Sequence, residues 1–183
     1  MAYLLADSVL GTLTIASNGS AITGVWFEDH RYPPTPAALG ARVEPGADPL
    51  LDAAAGQLAE YLAGERASFD LPLEPVGTEK QRAVWRILEG IPAGQSRTYG
   101  DIARELGSPR AAQAIGQAVG RNPISIVIPC HRVMGADGSV TGYAGGVERK
   151  VFLRELEGHR SSDTLFSGRV TQKRWSKGDG SAA

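Results

Sequence analysis

The segment Ile128-Pro129-Cys130-His131-Arg132-Val133 carries the one cysteine of the chain and completes the apolar run of residues 124–128. Pro129 restricts the backbone just before the thiol, and His131 and Arg132 follow it directly. The thiolate is the nucleophilic form of cysteine, and nearby positive charge lowers a thiol pKa from its usual value of about 8.5. The segment therefore predicts an activated nucleophile at the end of a buried run. An inert, buried cysteine is the alternative.

The residues before this segment predict three short helices. Their apolar positions recur at helical spacing, with Val84, Trp85 and Leu88 in the first, Ile102, Ala103 and Leu106 in the second, and Ile115 and Val119 in the third. Thr98 and Asp101 are spaced as a capping box, and Ser108-Pro109 is typical of an N-cap followed by the first helical position. Short helices joined around Gly107 indicate a helix-turn-helix, with ordinary bundle packing as the alternative.

One face of the third helix is polar and low in bulk. Four residues share it at spacings of i, i+3, i+4 and i+7, beside Ala111, namely Arg110, Gln113, Ala114 and Gln117. Small residues let a backbone approach a partner closely, and Arg and Gln supply hydrogen-bond donors. The face predicts a binding surface, and a plain solvated face is the alternative.

A glycine-rich loop and a last helix follow the cysteine. The loop reads Thr141-Gly142-Tyr143-Ala144-Gly145-Gly146, and the helix has an apolar side made of Val147, Val151, Phe152 and Leu156. Lys150, Arg154 and Glu157 share another face of this helix. Taken alone, Lys150 and Glu157 predict a solvent-exposed face.

The first 77 residues predict a small α/β unit. Residues 10–16 and 22–27 read as a β-hairpin, and the proline-rich residues 33–49 read as a loop. A helix is predicted from Leu51 to Gly64, and residues 69–77 read as a last strand.

Composition bounds the class of protein. The chain has 183 residues and a formal net charge of -1, with a single cysteine and therefore no intramolecular disulfide. Its N-terminus shows no targeting segment and its apolar runs are too short to cross a bilayer, so a cytoplasmic protein without a membrane partner is expected. Residues 1–77 hold 3 basic and 10 acidic side chains, whereas residues 78–157 hold 11 and 8. The near-neutral charge of the whole chain therefore conceals a net positive charge on residues 78–157, which favours binding of nucleic acid.

The Pro-Cys-His-Arg motif, its spacing to the Gly-Gly loop and the helix carrying Lys150 resemble the methylated-DNA–protein-cysteine methyltransferases, the O6-alkylguanine-DNA alkyltransferases. The likeness runs from about Asp7 to Gly158 and is strongest from Gln81 to Glu157. It implies an α/β, ribonuclease H-like N-terminal domain (1–77) and a mainly α, winged helix-turn-helix-like C-terminal domain (78–160). Residues 161–183 are expected to be a disordered tail.

The resemblance implies DNA repair by direct reversal. A methyl or larger alkyl group would pass irreversibly from O6-alkylguanine in double-stranded DNA to Cys130, once per molecule, with O4-alkylthymine as a second candidate substrate. No cofactor and no partner subunit are implied, so a monomer is expected.

The resemblance also assigns roles to single residues. Cys130 would accept the alkyl group, His131 would act as base through a bound water, and Glu157 would hold His131. Asn122 matches the family's hinge asparagine, and Tyr99 matches the tyrosine that donates to guanine N3.

Further residues would form the base pocket and the DNA face. Val133 and Tyr143 would line the pocket, the Ala144 backbone N–H would face O6, and Lys150 would support the site electrostatically. The third helix would enter the minor groove, and its DNA-binding residues would be Arg110, Ala111, Gln113, Ala114 and Gln117.

Two positions depart from the family pattern. Gln113 stands where the family usually carries an arginine finger that fills the space of the extruded base, and Lys80 stands where bacterial relatives tend to place Phe. The first 77 residues contain no cysteine, so the zinc of some members is expected to be absent. His30 is then expected at the surface.

Three alternatives stay open. An alkyltransferase-like damage-binding protein would bind the lesion with weak or no transfer, which Gln113 favours and Cys130 opposes. A thiol hydrolase would use Cys130 and His131, but adjacent residues of an extended strand face opposite ways. A DNA-binding regulator would use the helix-turn-helix and leave the cysteine motif unexplained.

Overall fold

The computed structural model describes residues 1–158, so the predicted tail at 161–183 lies outside the described residues. A four-stranded sheet in the order β3-β2-β1-β4 forms its N-terminal part. The strands are β1 (Ala2–Ala6), β2 (Leu13–Ser17), β3 (Ile22–Phe27) and β4 (Ala41–Arg42), of which β1, β2 and β3 are antiparallel neighbours and β4 runs parallel to β1. The predicted hairpin is confirmed as β2–β3, whereas β1 was not predicted.

Helix α2 (Pro49–Leu62) covers one face of this sheet. Asp48 caps it by accepting from the backbone N–H groups of Leu50 and Leu51, and Pro49 takes the first helical position. Its predicted apolar stripe, Leu51, Ala54, Leu58, Tyr61 and Leu62, is buried. The helical spacing of these apolar residues therefore predicted the helix correctly.

Two predictions about the N-terminal part were wrong. Residues 33–49 are not wholly a loop, because Thr35 caps a short helix, α1 (Pro36–Leu39), and β4 follows it. Proline at the first helical positions lacks only an N–H that has no partner there. Residues 69–77 form no strand, and only Leu73 makes an isolated bridge, to Ile22.

The C-terminal part is mainly helical. Helix α3 (Glu79–Glu89) starts at a full capping box of Thr78 and Gln81, and α4 (Tyr99–Glu105) starts at the predicted box of Thr98 and Asp101. The Trp85 indole is 1% exposed and donates to the Ala118 carbonyl at 2.9 Å, which ties α3 to α5 (Ala112–Gly120). Burying such a ring contributes roughly 3 kcal/mol.

Two short parallel strands and a last helix complete this part. Strands β5 (Arg97–Thr98) and β6 (Val133–Met134) pair, and α6 (Val147–Leu156) packs on the turn that holds Cys130. The predicted fold class, an α/β N-terminal part and a mainly α helix-turn-helix C-terminal part, is confirmed. No helix among residues 1–158 is long and apolar enough to cross a bilayer.

The sheet and the helical part meet through backbone hydrogen bonds. The Val25 N–H donates to Pro123 O at 2.9 Å, and the Ser125 N–H donates to Val25 O at 3.0 Å. Strand β3 thus fixes the chain just before the cysteine segment. His30, expected at the surface, is 6% exposed because its ring packs inward between Tyr32 O and Ser125 Oγ.

Candidate active site

Cys130 begins a single turn of 3-10 helix, Cys130–Arg132, and is not part of an extended strand. The run before it does not continue as a strand either, because Ile126 has a φ of 72°. A β-branched residue is rarely found in this left-handed region, and here it is completely buried, so the surrounding packing holds it. The prediction that Cys130 and His131 lie on an extended strand, which argued against their acting as a pair, is therefore wrong.

The Asn122 side chain organises the approach to the thiol. Its Nδ2 donates to Ile128 O at 2.8 Å and to Cys130 Sγ at 3.1 Å, and its Oδ1 accepts from the Ile124 N–H at 3.0 Å. Asn122 is 2% exposed. One amide thus fixes both the turn after α5 and the position of the sulfur.

Glu157 follows α6 and binds His131 and Arg132 together. His131 Nε2 lies 3.0 Å from Glu157 Oε1, and the Arg132 guanidinium donates to both carboxylate oxygens through Nε and Nη2 at 2.6–3.1 Å. The Glu157 side chain is 3% exposed, so the predicted solvent-exposed face is wrong. Burial raises its pKa, but the hydrogen bonds from His131 and Arg132 outweigh burial and hold it well below its ordinary value.

Burial keeps His131 neutral. Removal from water lowers its pKa below the ordinary 6.5, and Glu157 opposes this only in part. Because Nε2 faces Glu157, that nitrogen carries the proton, and Nδ1 has no hydrogen-bond partner among the described residues. His131 thus has a free, buried lone pair, as a general base requires.

The electrostatics of the thiol differ from the sequence-based prediction. Burial raises the pKa of Cys130, and the Asn122 hydrogen bond and the charge of Lys150 oppose that rise. Arg132 was expected to lower the thiol pKa, but its guanidinium is directed to Glu157. The free protein therefore keeps a protonated thiol, and a base must remove the proton.

Lys150 is fully buried beneath the site, contrary to the expectation for its helix face. Its Nζ donates to Val133 O at 2.6 Å and to Thr141 O at 2.8 Å. Burial lowers its pKa to about 8. Lys150 thus fastens the loop after β6 and sets a positive charge near Cys130.

Tyr99, at the start of α4, faces this loop, and Tyr143 lies within it. The Tyr99 hydroxyl faces Thr141 O at 3.5 Å, and burial raises its pKa, with a smaller contribution from Cys130. Burial also raises the pKa of Tyr143 well above its ordinary value, and Cys130 again contributes. Both phenols are therefore protonated, and each is close enough to Cys130 for a thiolate there to raise its pKa.

The Gly-Gly loop is held by the N-terminal part. A Cβ on Gly145 would come within 2.3 Å of the Phe27 ring, so only glycine allows this approach. Phe27 packs edge-on against Tyr143, and the Arg31 N–H donates to Ala144 O at 2.8 Å. The sheet thus positions the loop that faces the thiol.

Helix α5 starts later than predicted. Ala111 is its N-cap and makes no side-chain cap, while Ser108 O accepts from the Ala111 N–H in a turn. Arg110 therefore lies before the helix and does not share its face. Gln113, Ala114 and Gln117 are exposed on one side of α5.

The contacts of three residues were missed from the sequence. The Tyr61 hydroxyl of α2 donates to Glu157 Oε1 at 2.5 Å. Arg132 pairs with Glu157, and Arg149 donates to Asp29 Oδ1 at 2.5 Å and to Leu10 O at 2.9 Å. No local pattern marks partners 25 to 139 residues apart in the chain.

The described residues contain no group of three or more His, Cys, Asp or Glu side chains placed to hold a metal ion. The arrangement defines a class: a protein with an N-terminal sheet domain, a helix-turn-helix and a buried thiol beside a His–Glu pair. Residues 1–75 match the family model of the 6-O-methylguanine DNA methyltransferase ribonuclease-like domain, and residues 79–159 match that of the DNA binding domain. The chain belongs to the 6-O-methylguanine DNA methyltransferase family.

Individual relatives agree with this membership. The chain is 45% identical to a methylated-DNA–protein-cysteine methyltransferase of Mycolicibacterium paratuberculosis, over 90% of this chain and 98% of the relative. It is 44% identical to the constitutive methylated-DNA–protein-cysteine methyltransferase of Bacillus subtilis, over 85% of this chain and 94% of the relative. The crystal structure of Mycobacterium tuberculosis OGT in complex with DNA has a TM-score of 0.76 and 41% identity, covering 86% of this chain and 92% of that one.

Proposed function

We propose that this protein repairs DNA by moving an alkyl group from O6 of guanine to the Cys130 sulfur, once per molecule. The observation that carries the proposal is the set of contacts at the thiol: Asn122 holds Sγ, and the neighbouring His131 has a free Nδ1 and a carboxylate on Nε2. Direct reversal of this kind is consistent with the family and with relatives named for it.

The transfer is one displacement at carbon. His131 takes the thiol proton through a water molecule, and the thiolate attacks the sp3 carbon on O6. A C–S bond forms as the C–O6 bond breaks, and the electron pair passes into the guanine ring. Tyr99, which burial keeps protonated, donates to guanine N3 so that the base leaves neutral.

The remaining residues would shape the base pocket. Val133 and Tyr143 would line it, the Ala144 N–H would face O6, and the Lys150 charge would favour the thiolate as it forms. A base inside a duplex is out of reach, so the nucleotide is extruded at a cost of roughly a few kcal/mol. The thioether product contains no bond that water cleaves readily, which explains a single turnover.

The proposed partner is double-stranded DNA containing O6-alkylguanine, which α5 would meet through Gln113, Ala114 and Gln117. Arg110, in the turn before the helix, would contact phosphate, and Ala111, whose N–H donates to Ser108 O, would offer only a small side chain that allows close approach. The modest surplus of basic groups in residues 78–157 implies salt-sensitive affinity. We further propose a cytoplasmic monomer that needs no cofactor, divided at residues 77 and 78.

Intact-mass spectrometry after incubation with an O6-methylguanine duplex tests the proposal. We expect the mass of one methyl group to be added to the wild-type protein, located on Cys130 by peptide mapping, and none to Cys130→Ala. Plain duplex is the control. Tight binding of the alkylated duplex with no mass gain would instead support the damage-binding alternative, which the charge-free Gln113 favours.

A further inference from the structure

Tyr61 joins the N-terminal part to the proposed chemistry. It lies near the end of α2, is 2% exposed and packs against Phe69 with ring centroids 5.1 Å apart. The ring alone would serve the core as well if it were phenylalanine. Packing therefore does not explain the hydroxyl. A buried phenol loses its hydrogen bonds to water and must find a hydrogen-bond partner in the protein.

That partner is the carboxylate that holds His131. The Tyr61 hydroxyl donates to Glu157 Oε1 at 2.5 Å and lies 3.4 Å from His131 Nε2. The same Oε1 accepts from His131 and from Arg132 Nη2. Among residues 1–77, Tyr61 is the one whose side chain bonds to Glu157.

The phenol can only donate in this place. Burial, followed by the neighbouring Glu157 carboxylate, raises the pKa of Tyr61 far above its ordinary value. Its proton therefore stays on the oxygen at neutral pH and is directed to Glu157. A fixed donor on Oε1 draws negative charge away from the atom that faces His131.

We propose that Tyr61 is a positioning residue for alkyl transfer, which fixes the Glu157 carboxylate and limits the charge that it presents to His131. This inference rests on the proposed function. With Tyr61 in place, His131 keeps its proton on Nε2 and stays neutral to lower pH, so Nδ1 is free to accept the thiol proton. The N-terminal part then tunes the reaction as well as supporting the fold.

Tyr61→Phe isolates the hydroxyl, since the ring and its contact with Phe69 remain. Without the donor, Glu157 holds more charge against His131, and the pKa of His131 rises. We expect the acid midpoint of the transfer rate to move up by about half to one pH unit, which lowers the rate below the midpoint by about 3- to 10-fold. Above it, at pH 8.5, the rate should agree with wild type within about twofold.

The experiment measures single-turnover transfer from an O6-methylguanine duplex between pH 5 and 9. Tyr3→Phe is the matched control, because it removes a phenol from β1 of the same part of the chain, and its profile should match wild type. In a Glu157→Gln background, Tyr61→Phe should cause no further shift, since the two changes act through one atom. A Tyr61→Phe profile that coincides with wild type, with only a lower melting temperature, overturns the inference.

A measurement on the wild-type protein does not depend on how the variant folds. Nitrogen-15 NMR should show His131 as the Nε2–H tautomer, and proton NMR should show the Tyr61 hydroxyl proton in slow exchange with water. A fast-exchanging phenol overturns the inference. Absence of transfer by wild type at every pH would instead defeat the proposed function, so the two failures are distinguishable.

Discussion

Asn122 Nδ2 donates to the Cys130 sulfur at 3.1 Å while the same amide closes the turn that leads to it. The residue therefore links the end of the proposed DNA-binding helix to the reacting atom. A shift of α5 on binding DNA would therefore move the thiol through the Asn122 side chain. Substitution of Asn122 removes this link.

Asn122→Ala should lower both stability and reactivity. It leaves Ile128 O and the Ile124 N–H buried without their side-chain partner, which costs about 2–3 kcal/mol of the free energy of unfolding. The thiol pKa should rise further, because the Asn122 hydrogen bond opposes the effect of burial. Urea unfolding and the pH dependence of iodoacetamide labelling measure the two effects. Asn18→Ala, which removes hydrogen bonds from an exposed turn, is the control, and an equal shift of thiol labelling in both variants would contradict this role.

Gln113→Arg should speed repair of duplex DNA. A longer, charged side chain on the exposed face of α5 fills the space left by an extruded base better than Gln does, and it offsets part of the cost of extrusion. We expect about a tenfold faster transfer, equivalent to about 1.4 kcal/mol. Gln117→Arg adds the same charge one turn along the face and is the matched control. Equal transfer rates for wild type and Gln113→Arg, measured under single-turnover conditions, would refute the prediction.

Glu157→Gln should change how stability depends on acid. The folded-state pKa of Glu157 lies below its ordinary value of 4.5, so its contribution to stability is present above that value and is lost as pH falls. At pH 7 the variant should lose about 3 kcal/mol, because the Arg132 charge stays buried without its partner. Urea unfolding between pH 3 and 7 should show the two proteins converging at low pH. A constant difference would contradict the prediction.

Lys150→Met should reveal a buried charge whose effect on stability changes in the alkaline range, with the same sign as that of Glu157. The pKa of Lys150 is lowered to about 8 in the folded protein, from an ordinary value of 10.5. Between these values the unfolded chain binds the proton that the folded chain has lost, so the stability of wild type relative to the variant should rise with pH. The slope should approach about 1.4 kcal/mol per pH unit. Parallel unfolding free energies for the two proteins between pH 7 and 10 would show that Lys150 does not titrate there.

Local features were well predicted from the sequence. The capping box at Thr98 and the apolar stripe of α2 form as their spacing requires, because each depends on neighbours within a few residues. The start of α5 was wrong, since the Ser108-Pro109 signal is satisfied by a turn instead. Strand β1 was missed because its pairing partners, and not its own alternation, make it a strand.

By itself the sequence determined the family and the hidden charge asymmetry, and it predicted the nucleophile and its histidine, since these are properties of residue type and spacing. Only the tertiary structure decided what each charged group does. It buried Lys150 and Glu157, turned Arg132 from the thiol to the carboxylate, and brought Tyr61 onto Glu157 across 96 residues. Burial and long-range contacts set pKa values and rotamers, and neither is encoded in local spacing.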